Sequence, residues 1–182
     1  MKKTTVFIIA IILFSLNGIA QITKGNWMVG GDGNFSRTYS VDSNGNESIK
    51  TFYINLKPKL GYFFVDKLVG GLQANYFYNK SPGIQSSSIY GLSPFLRYYF
   101  LKADNRVNLL TQFSYGYLTI KSQNGKSYYE QGYSFKTGPV IYFNSSVGLE
   151  ITVNYDSTFQ ELTKNKNYNL SIGMGIQVHL EK

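Results

Sequence analysis

Cysteine is absent from this 182-residue sequence, histidine occurs once, and charged residues make up only 15% of the chain. The absence of cysteine excludes disulfide bonds and a lipid anchor attached through cysteine, so the stability of the fold has to come from strand pairing and side-chain packing. The low charge is unusual for a soluble protein, because a soluble surface typically carries about 25–35% charged side chains. Aromatic residues are as frequent as charged ones, at 16%. This composition indicates contact with a membrane.

Long apolar runs are missing as well, except at the N-terminus. Residues 6–16 form an apolar stretch behind two lysines, and the small residues Gly18 and Ala20 follow it. The stretch is well short of the roughly 20 apolar residues that a membrane-spanning helix needs, and the order of these features is typical of a secretory signal peptide. We therefore expect residues 1–20 to be removed by cleavage after Ala20 and residues 21–182 to form one domain.

The rest of the chain alternates apolar and polar residues with a period of two. Successive side chains of a β-strand point to opposite faces, so this period predicts strands with one apolar face. Residues 168–180 are the clearest example, because their even-numbered positions are apolar or aromatic and their odd-numbered positions are polar or glycine. We predict an all-β chain of eight strands, at residues 26–38, 49–64, 68–79, 88–100, 106–119, 128–143, 147–157 and 167–180.

The predicted connections differ in length between the two ends of the strands. Short turns at one end and long polar loops at the other are typical of an eight-stranded antiparallel up-and-down transmembrane β-barrel. Closure is required in such a barrel, because unpaired backbone groups in hydrocarbon are costly. The short connections are predicted at 65–67, 101–105 and 144–146, and the longer ones at 39–48, 80–87, 120–127 and 158–166, with Asn-Gly turn signals at Asn44 and Asn124.

A repeated motif supports this register. Residues 54–63 recur at residues 91–100 and more loosely at 135–143, and each copy ends an even-numbered strand, so the repeating unit is a hairpin. Each copy contains one proline on the apolar face near the same end of the strands. Since proline cannot donate to a strand ladder, we expect a bulge or a lost backbone bond at each of these positions. The prolines are Pro58, Pro94 and Pro139.

The aromatic residues discriminate between two placements of the apolar face. In a soluble lipocalin-like barrel this face points inward, whereas in a membrane barrel it points out to lipid and the polar face lines the lumen. Amphipathic rings favour the two membrane–water interfaces, and the aromatic residues of this chain fall near the two strand ends with aliphatic residues between them. We therefore expect two aromatic girdles: Trp27, Tyr62 and Tyr98 at the short-turn end, and Tyr76, Tyr115, Tyr117, Tyr155 and Tyr168 at the long-loop end.

The polar face carries charges of both signs. The interior of an eight-stranded barrel is just wide enough for side chains to fill, and buried charges are stable only when paired. We expect Asp32 to pair with Lys57 or Lys59, and Glu150 with Lys136 or Arg97. The predicted result is a plugged lumen, with a narrow selective path as the alternative. The predicted lumen network is Asp32, Lys57, Lys59, Arg97, Lys136 and Glu150.

Catalytic chemistry is not predicted. General-acid or nucleophilic chemistry on outer-leaflet lipid would need a histidine near the long-loop rim, together with serine or a carboxylate. His179, the single histidine, lies at the opposite end and is expected to fill the lumen or to donate a hydrogen bond there. No cluster of cysteine and histidine offers a metal site. We expect no enzyme activity, no metal and no cofactor.

The net charge of +8 does not predict nucleic-acid binding. The lysines are scattered along the chain, and no basic run or helix concentrates them into a patch. We therefore expect solvated loop charges and a few lumen charges, and no nucleic-acid partner.

The whole chain after residue 20 resembles the small outer-membrane β-barrel proteins of Gram-negative bacteria, the OmpA/OmpX-like and opacity-porin-like eight-stranded barrels. The resemblance rests on the Leu-x-Pro-x-Leu-Gly-Tyr-Phe stretch at residues 56–63, on the Asp66-Lys67 turn that follows it, and on the closing amphipathic strand at 168–180. Its motifs are specific for the fold and unspecific for function, because such barrels serve as membrane anchors, adhesins, small-solute pores and structural proteins.

The resemblance implies a monomer in the cell outer membrane, in contact with its lipids and inserted with the help of barrel assembly and periplasmic chaperone machinery. We expect a non-enzymatic, structural or surface-exposed role, with binding or adhesion through the extracellular loops. The first alternative is a narrow porin-like path for small solutes or ions. The second is a secreted, soluble lipocalin-like binding barrel.

Overall fold

The computed structural model describes residues 22–41, 47–81, 84–122 and 127–181, which form eight β-strands. Each strand pairs antiparallel with the next, and β8 pairs with β1, so the sheet closes into a barrel and the predicted fold class is confirmed. Among the described residues there is no helix long and apolar enough to span a membrane. The strands are β1 (Trp27–Val41), β2 (Glu47–Val65), β3 (Leu68–Ser81), β4 (Ile84–Tyr99), β5 (Val107–Ser122), β6 (Ser127–Tyr142), β7 (Val147–Gln160) and β8 (Asn165–Leu180).

The alternation in the sequence sorts side chains between the outside and the lumen of the barrel. On β8 the apolar residues point outward, with Leu170 73% and Ile172 80% exposed, whereas the alternate residues Gln177 and His179 are buried inside. The apolar face is therefore the outer face. This orientation is the reverse of the one that a lipocalin-like barrel requires.

The strands are longer at one end than the sequence predicts. We call this the upper end, where the chain passes from β1 to β2, β3 to β4, β5 to β6 and β7 to β8; the opposite end is the lower end. The prediction of long upper loops is wrong, because the polar segments there continue the ladders, with Ser87 pairing with Ser122 and Phe159 with Lys166. Strand formation depends on pairing context more than on residue type, so serine- and lysine-rich segments extend the sheet.

At the upper end, the β7–β8 connection spans only 161–164, whereas 100–106 at the lower end is longer. Connections 42–46, 82–83 and 123–126 lie outside the described residues. The predicted Asn-Gly turns fall in the first and last of these segments. The predicted signal peptide at residues 1–20 also lies outside the described residues.

The three prolines of the repeated motif interrupt the ladders at equivalent places. Pro58, Pro94 and Pro139 all point outward. The register of the β2–β3 pair passes from Leu56–Tyr76 to Lys59–Gln73 without pairing the residues between them, and β4–β5 and β6–β7 skip their prolines in the same way. The register does not shift across any of these gaps, so each proline removes pairing locally and creates no bulge. The expectation of lost backbone bonds is confirmed.

Candidate functional site

Five charged side chains from five different strands meet inside the barrel. They occupy inward positions of the alternation, and Arg97 and Glu150 are 0% and 2% exposed. Burying an unpaired charge is costly, so these five side chains must contact one another for the barrel to fold. We call this group the ionic cluster: Asp32 on β1, Lys59 on β2, Arg97 on β4, Lys136 on β6 and Glu150 on β7.

Glu150 lies at the centre of the ionic cluster. Its carboxylate accepts hydrogen bonds from both terminal nitrogens of Arg97, and its Oε2 lies 3.0 Å from Lys136 Nζ and 4.0 Å from Lys59 Nζ. Asp32 bridges the same two lysines, with its Oδ2 2.8 Å from Lys59 Nζ and its Oδ1 2.9 Å from Lys136 Nζ. Three basic side chains thus share two carboxylates.

Lys57 is not part of the ionic cluster. It lies opposite Asp32 in the β1–β2 register, but Lys59 is the lysine that contacts the Asp32 carboxylate. The Nζ of Lys57 lies 3.8 Å from Asp156 Oδ1, and both side chains are partly exposed, at 28% and 23%. A solvated pair at this distance contributes little to stability. Lys57 therefore remains available for other contacts in the upper lumen.

Hydrogen bonds extend the ionic cluster towards the lower end. The Nε and Nη2 atoms of Arg97 donate to Gln112 Oε1 at 3.0 and 2.8 Å, and its Nη1 donates to Gln177 Oε1 at 2.7 Å. Tyr99 also donates to Gln177 Oε1, at 2.6 Å, and Gln177 donates to Tyr142 at 3.0 Å. The buried guanidinium therefore has acceptors on every side, which stabilises its charge inside the barrel.

Below the ionic cluster the lumen is filled mainly by apolar and aromatic side chains. All of them except Ile22, which precedes β1, occupy inward strand positions that the alternation predicts to be polar. The signal for them was present, because Phe63 and Tyr99 alternate with the outward girdle residues Tyr62 and Tyr98 in the repeated motif. We call these residues the lower core: Ile22, Met28, Phe63, Val69, Phe95, Tyr99, Leu110, Val140 and Tyr142.

The segment before β1 closes the lower end. Ile22 is fully buried in the lower core, and its carbonyl accepts a hydrogen bond from the amide of Lys67 at 2.9 Å. Gly25 N donates to Phe63 O at 3.0 Å, and Lys24 N donates to Asp66 Oδ1 at 2.8 Å. These bonds fix the segment across the β2–β3 turn, so the lumen is filled from the ionic cluster down to this end.

His179 lies in the lower core and is 1% exposed. Its ring contacts three aromatic rings, with centroid distances of 5.3 Å to Phe63, 6.0 Å to Tyr99 and 5.7 Å to Tyr142. Neither ring nitrogen has a hydrogen-bond partner among the described residues. No group of His, Cys, Asp and Glu side chains in the described part of the chain has the geometry to hold a metal ion.

Above the ionic cluster the lumen is open. Two adjoining cavities of about 400 and 470 Å³ occupy it, which is the size of ordinary ligand sites. Lys57, Asp156 and Asn169 line both cavities, so the two spaces adjoin across these side chains. We call the combined space the upper cavity. The wall of the first cavity is mainly polar, whereas that of the second is mainly apolar, with Phe77, Ile89 and Leu118 among its lining residues.

The predicted girdle residues all lie on the outer face, and many of their rings contact one another. At the lower end, Trp27 and Tyr62 pack edge to face at 5.2 Å. At the upper end, Tyr155 lies between Tyr133 and Tyr168, with ring centroids 6.3 and 6.4 Å away. The remaining predicted members are exposed as well, and the band between the girdles is aliphatic. These members are Tyr76, Tyr98, Tyr115 and Tyr117.

Solved structures with the same architecture are small outer-membrane barrels. Neisserial surface protein A is 17% identical, with a TM-score of 0.61 over 85% of this chain and 99% of that chain. The outer membrane protein OprG of Pseudomonas aeruginosa is 14% identical, with a TM-score of 0.54 over 91% of this chain and 100% of that chain. The chain has the fold of eight-stranded outer-membrane barrels.

The N-terminal β-barrel domain of Pseudomonas aeruginosa OprF gives a TM-score of 0.52 at 12% identity, covering 86% of this chain and 98% of that chain. No protein-family model and no curated protein matches the sequence. At these identities the likeness describes the architecture, so the role of the protein has to be argued from its own surface and lumen.

Proposed function

We propose that the protein is an integral, non-enzymatic outer-membrane barrel, exported by its signal peptide and inserted by barrel assembly and periplasmic chaperone machinery. The observation that carries this proposal is the outer surface, an aliphatic band between two girdles of aromatic rings. Water is an unfavourable solvent for such a band, whereas a bilayer matches both the band and the girdles. The role is one of binding at the cell surface.

The binding surface is the upper end of the barrel. The strands themselves extend upward there, and the upper cavity opens between them. This revises the expectation of binding through long loops, since the connection at 161–164 is a short turn. Polar side chains on the strand extensions and in the cavity provide the contacts.

Membrane residence is tested by an arginine scan of the outer surface. Ile151 lies midway between the girdles, opposite Met174 on β8, whereas Leu162 lies in the β7–β8 turn, and both are exposed. Ile151→Arg should lower the free energy of unfolding in lipid vesicles by about 2–4 kcal/mol, and Leu162→Arg by about 0–1 kcal/mol. Equal, small effects of the two substitutions, together with recovery of the mature protein in the soluble periplasmic fraction, would contradict the proposal.

A porin-like role is tested by conductance. The lower core and the ionic cluster fill the lumen, so the purified protein in a planar bilayer should give no stable single-channel steps. Large, stable steps from the parent protein would favour the porin-like alternative. Leu110→Ala shortens a side chain of the lower core. Its conductance tests whether less dense packing in this region opens a path for ions through the lumen.

A further inference from the structure

One side of the second cavity is apolar. Three neighbouring strands each contribute one inward apolar side chain to its lining: Phe77 on β3, Ile89 on β4 and Leu118 on β5. Phe77 lies opposite Ile89 in the β3–β4 register, and Leu118 lies diagonally across from Ile89, opposite Gly91. We call these three side chains the apolar wall.

The apolar wall differs from the lower core in what covers it. The side chains of the lower core bury one another, whereas those of the apolar wall are only partly buried and border a cavity of about 470 Å³. Phe77 packs edge to face against Tyr53 with ring centroids 4.6 Å apart, which holds its ring beside the cavity. Apolar surface that faces open space is stabilised when an apolar group covers it.

A carboxylate borders the apolar wall. Glu130 on β6 lies opposite Leu118 in the β5–β6 register, and the Cβ atoms of such opposed residues are roughly 4.5–5.5 Å apart. Glu130 also lines the second cavity. Its side chain accepts a hydrogen bond from Thr158, and within the part of the chain that the structure describes it forms no ion pair. The second cavity therefore combines an apolar surface with an adjacent negative charge.

The charges around the two cavities favour a cation. Their linings contain three carboxylates and two lysines. Asp32 Oδ1 lies 2.9 Å from Lys136 Nζ inside the ionic cluster, and Asp156 lies 3.8 Å from Lys57 Nζ. Once these two pairs are set aside, Glu130 is the carboxylate whose charge remains to be offset.

We propose that the second cavity binds a small organic cation, with an ammonium group at Glu130 and an aromatic or aliphatic body against the apolar wall. Charge complementarity selects the cation, and the apolar wall selects a ligand that has an apolar body. The inference rests on the proposed function, because it gives a ligand class to the binding role of the upper end.

The ligand class is tested with three radiolabelled probes that share one phenylbutyl body: 4-phenylbutylamine, 4-phenylbutanol and 4-phenylbutyrate. Equilibrium dialysis compares the refolded barrel in phosphatidylcholine nanodiscs with empty nanodiscs. The amine should bind about tenfold more tightly than the alcohol, because its ammonium group gains a charge-assisted hydrogen bond. The carboxylate should bind most weakly. Binding of the carboxylate as tight as that of the amine, or no amine retained beyond empty nanodiscs, would overturn the proposal.

The position of the ammonium group is tested with two matched substitutions. Glu130→Gln should weaken amine binding by about tenfold and leave alcohol binding unchanged, since it removes the charge and keeps the shape. Glu161→Gln is the control, because Glu161 lies in the β7–β8 turn and lines neither cavity. An equal loss with both substitutions would show that the amine responds to overall surface charge, which contradicts a site at Glu130.

The position of the apolar body is tested in the same way. Leu118→Asn should weaken the amine and the alcohol by the same factor, about tenfold, because the apolar contact is common to both. Leu162→Asn places the same residue in the β7–β8 turn, outside both cavities, and should change neither. Unchanged binding of both probes to Leu118→Asn would remove the body from the apolar wall.

Heat-modifiable gel migration in vesicles is measured for the parent and for every variant. The three probes on the parent decide the ligand class even where a variant fails to insert. Failure of the parent to insert would refute the proposed function, whereas insertion without amine binding would refute only this inference.

Discussion

The lower and upper halves of the lumen are enclosed by the same strands but differ in the side chains that line them and in how fully those side chains fill the space. The lower half is packed with aromatic and aliphatic side chains and is sealed from above by the ionic cluster. The upper half contains the upper cavity, a weak Lys57–Asp156 pair and a stretch in which β1 and β8 are not paired. Strand pairing alone therefore does not determine how densely a barrel is packed; the side chains that point into the lumen do.

The difference also separates stability from function. Residues whose burial is complete stabilise the barrel and leave no space for a ligand, whereas the upper cavity does leave such space. Binding sites are drawn from the less stable parts of proteins for this reason. Three pairs of substitutions test the comparison. The two members of a pair lie in different halves of the lumen, or on different sides of the border between the halves.

The largest expected difference concerns charge pairing. Glu150→Ala leaves Arg97, Lys59 and Lys136 without their shared carboxylate in a buried site, and should cost about 3–5 kcal/mol. Asp156→Ala removes the partner of Lys57 in the upper half, and should cost less than about 1 kcal/mol. Urea unfolding of the refolded proteins in vesicles measures both. Similar costs for the two substitutions would show that the ionic cluster is as solvated as the upper pair.

Packing gives the second contrast. Leu110 is fully buried in the lower core, so Leu110→Ala should destabilise the barrel by about 2–5 kcal/mol through lost burial and a residual cavity. Leu118, on the same strand and the same face, lines the upper cavity and is only partly buried. Leu118→Ala should therefore have a clearly smaller effect in the same urea experiment. A larger effect at Leu118 would mean that the upper half is packed.

Glycine substitutions give the smallest effect and test the border between the halves. A Cβ atom at Gly175 would collide with the Asp32 carboxylate and lie 2.8 Å from the carbonyl oxygen of Gly31. A Cβ at Gly33 would meet the end of the Leu56 side chain at 3.1 Å and would lie in ordinary contact with the Asn55 carbonyl oxygen at 3.6 Å. Gly175→Ala should cost about 1–3 kcal/mol and Gly33→Ala almost nothing. The reverse order would exclude a close Asp32–Gly175 contact.

Much of the architecture was predictable because it follows from periodicity. Alternation gave the strand number, the class and the two faces, and the outward prolines indicated the interrupted ladders. The sequence also predicts that the lumen charges form pairs, since buried charges need partners. The sequence did not indicate that Lys136 bridges both carboxylates, because this contact joins residues on β1, β6 and β7 across the lumen.

Three features escaped prediction for identifiable reasons. Serine, asparagine and lysine favour loops in an isolated segment, so the sequence predicts long upper loops, whereas paired neighbours hold these segments in strands. The lower core was missed because inward positions were expected to be polar throughout. The end of β1–β8 pairing at Asp32–Gly175 leaves no mark on the sequence of either strand, since pairing there depends on where two distant segments lie relative to each other.

The eight strands, the outward apolar face and the girdles follow from the order of residues alone, because a period of two fixes which side chains share a face. The pairing of Asp32 with Lys59 rather than Lys57, the closure of the lower end by Ile22 and the end of β1–β8 pairing at Asp32 follow from how the closed barrel brings its segments together. These outcomes depend on contacts between different segments of the chain. No local pattern encodes them, because each contact is set by the stagger and curvature of the closed sheet.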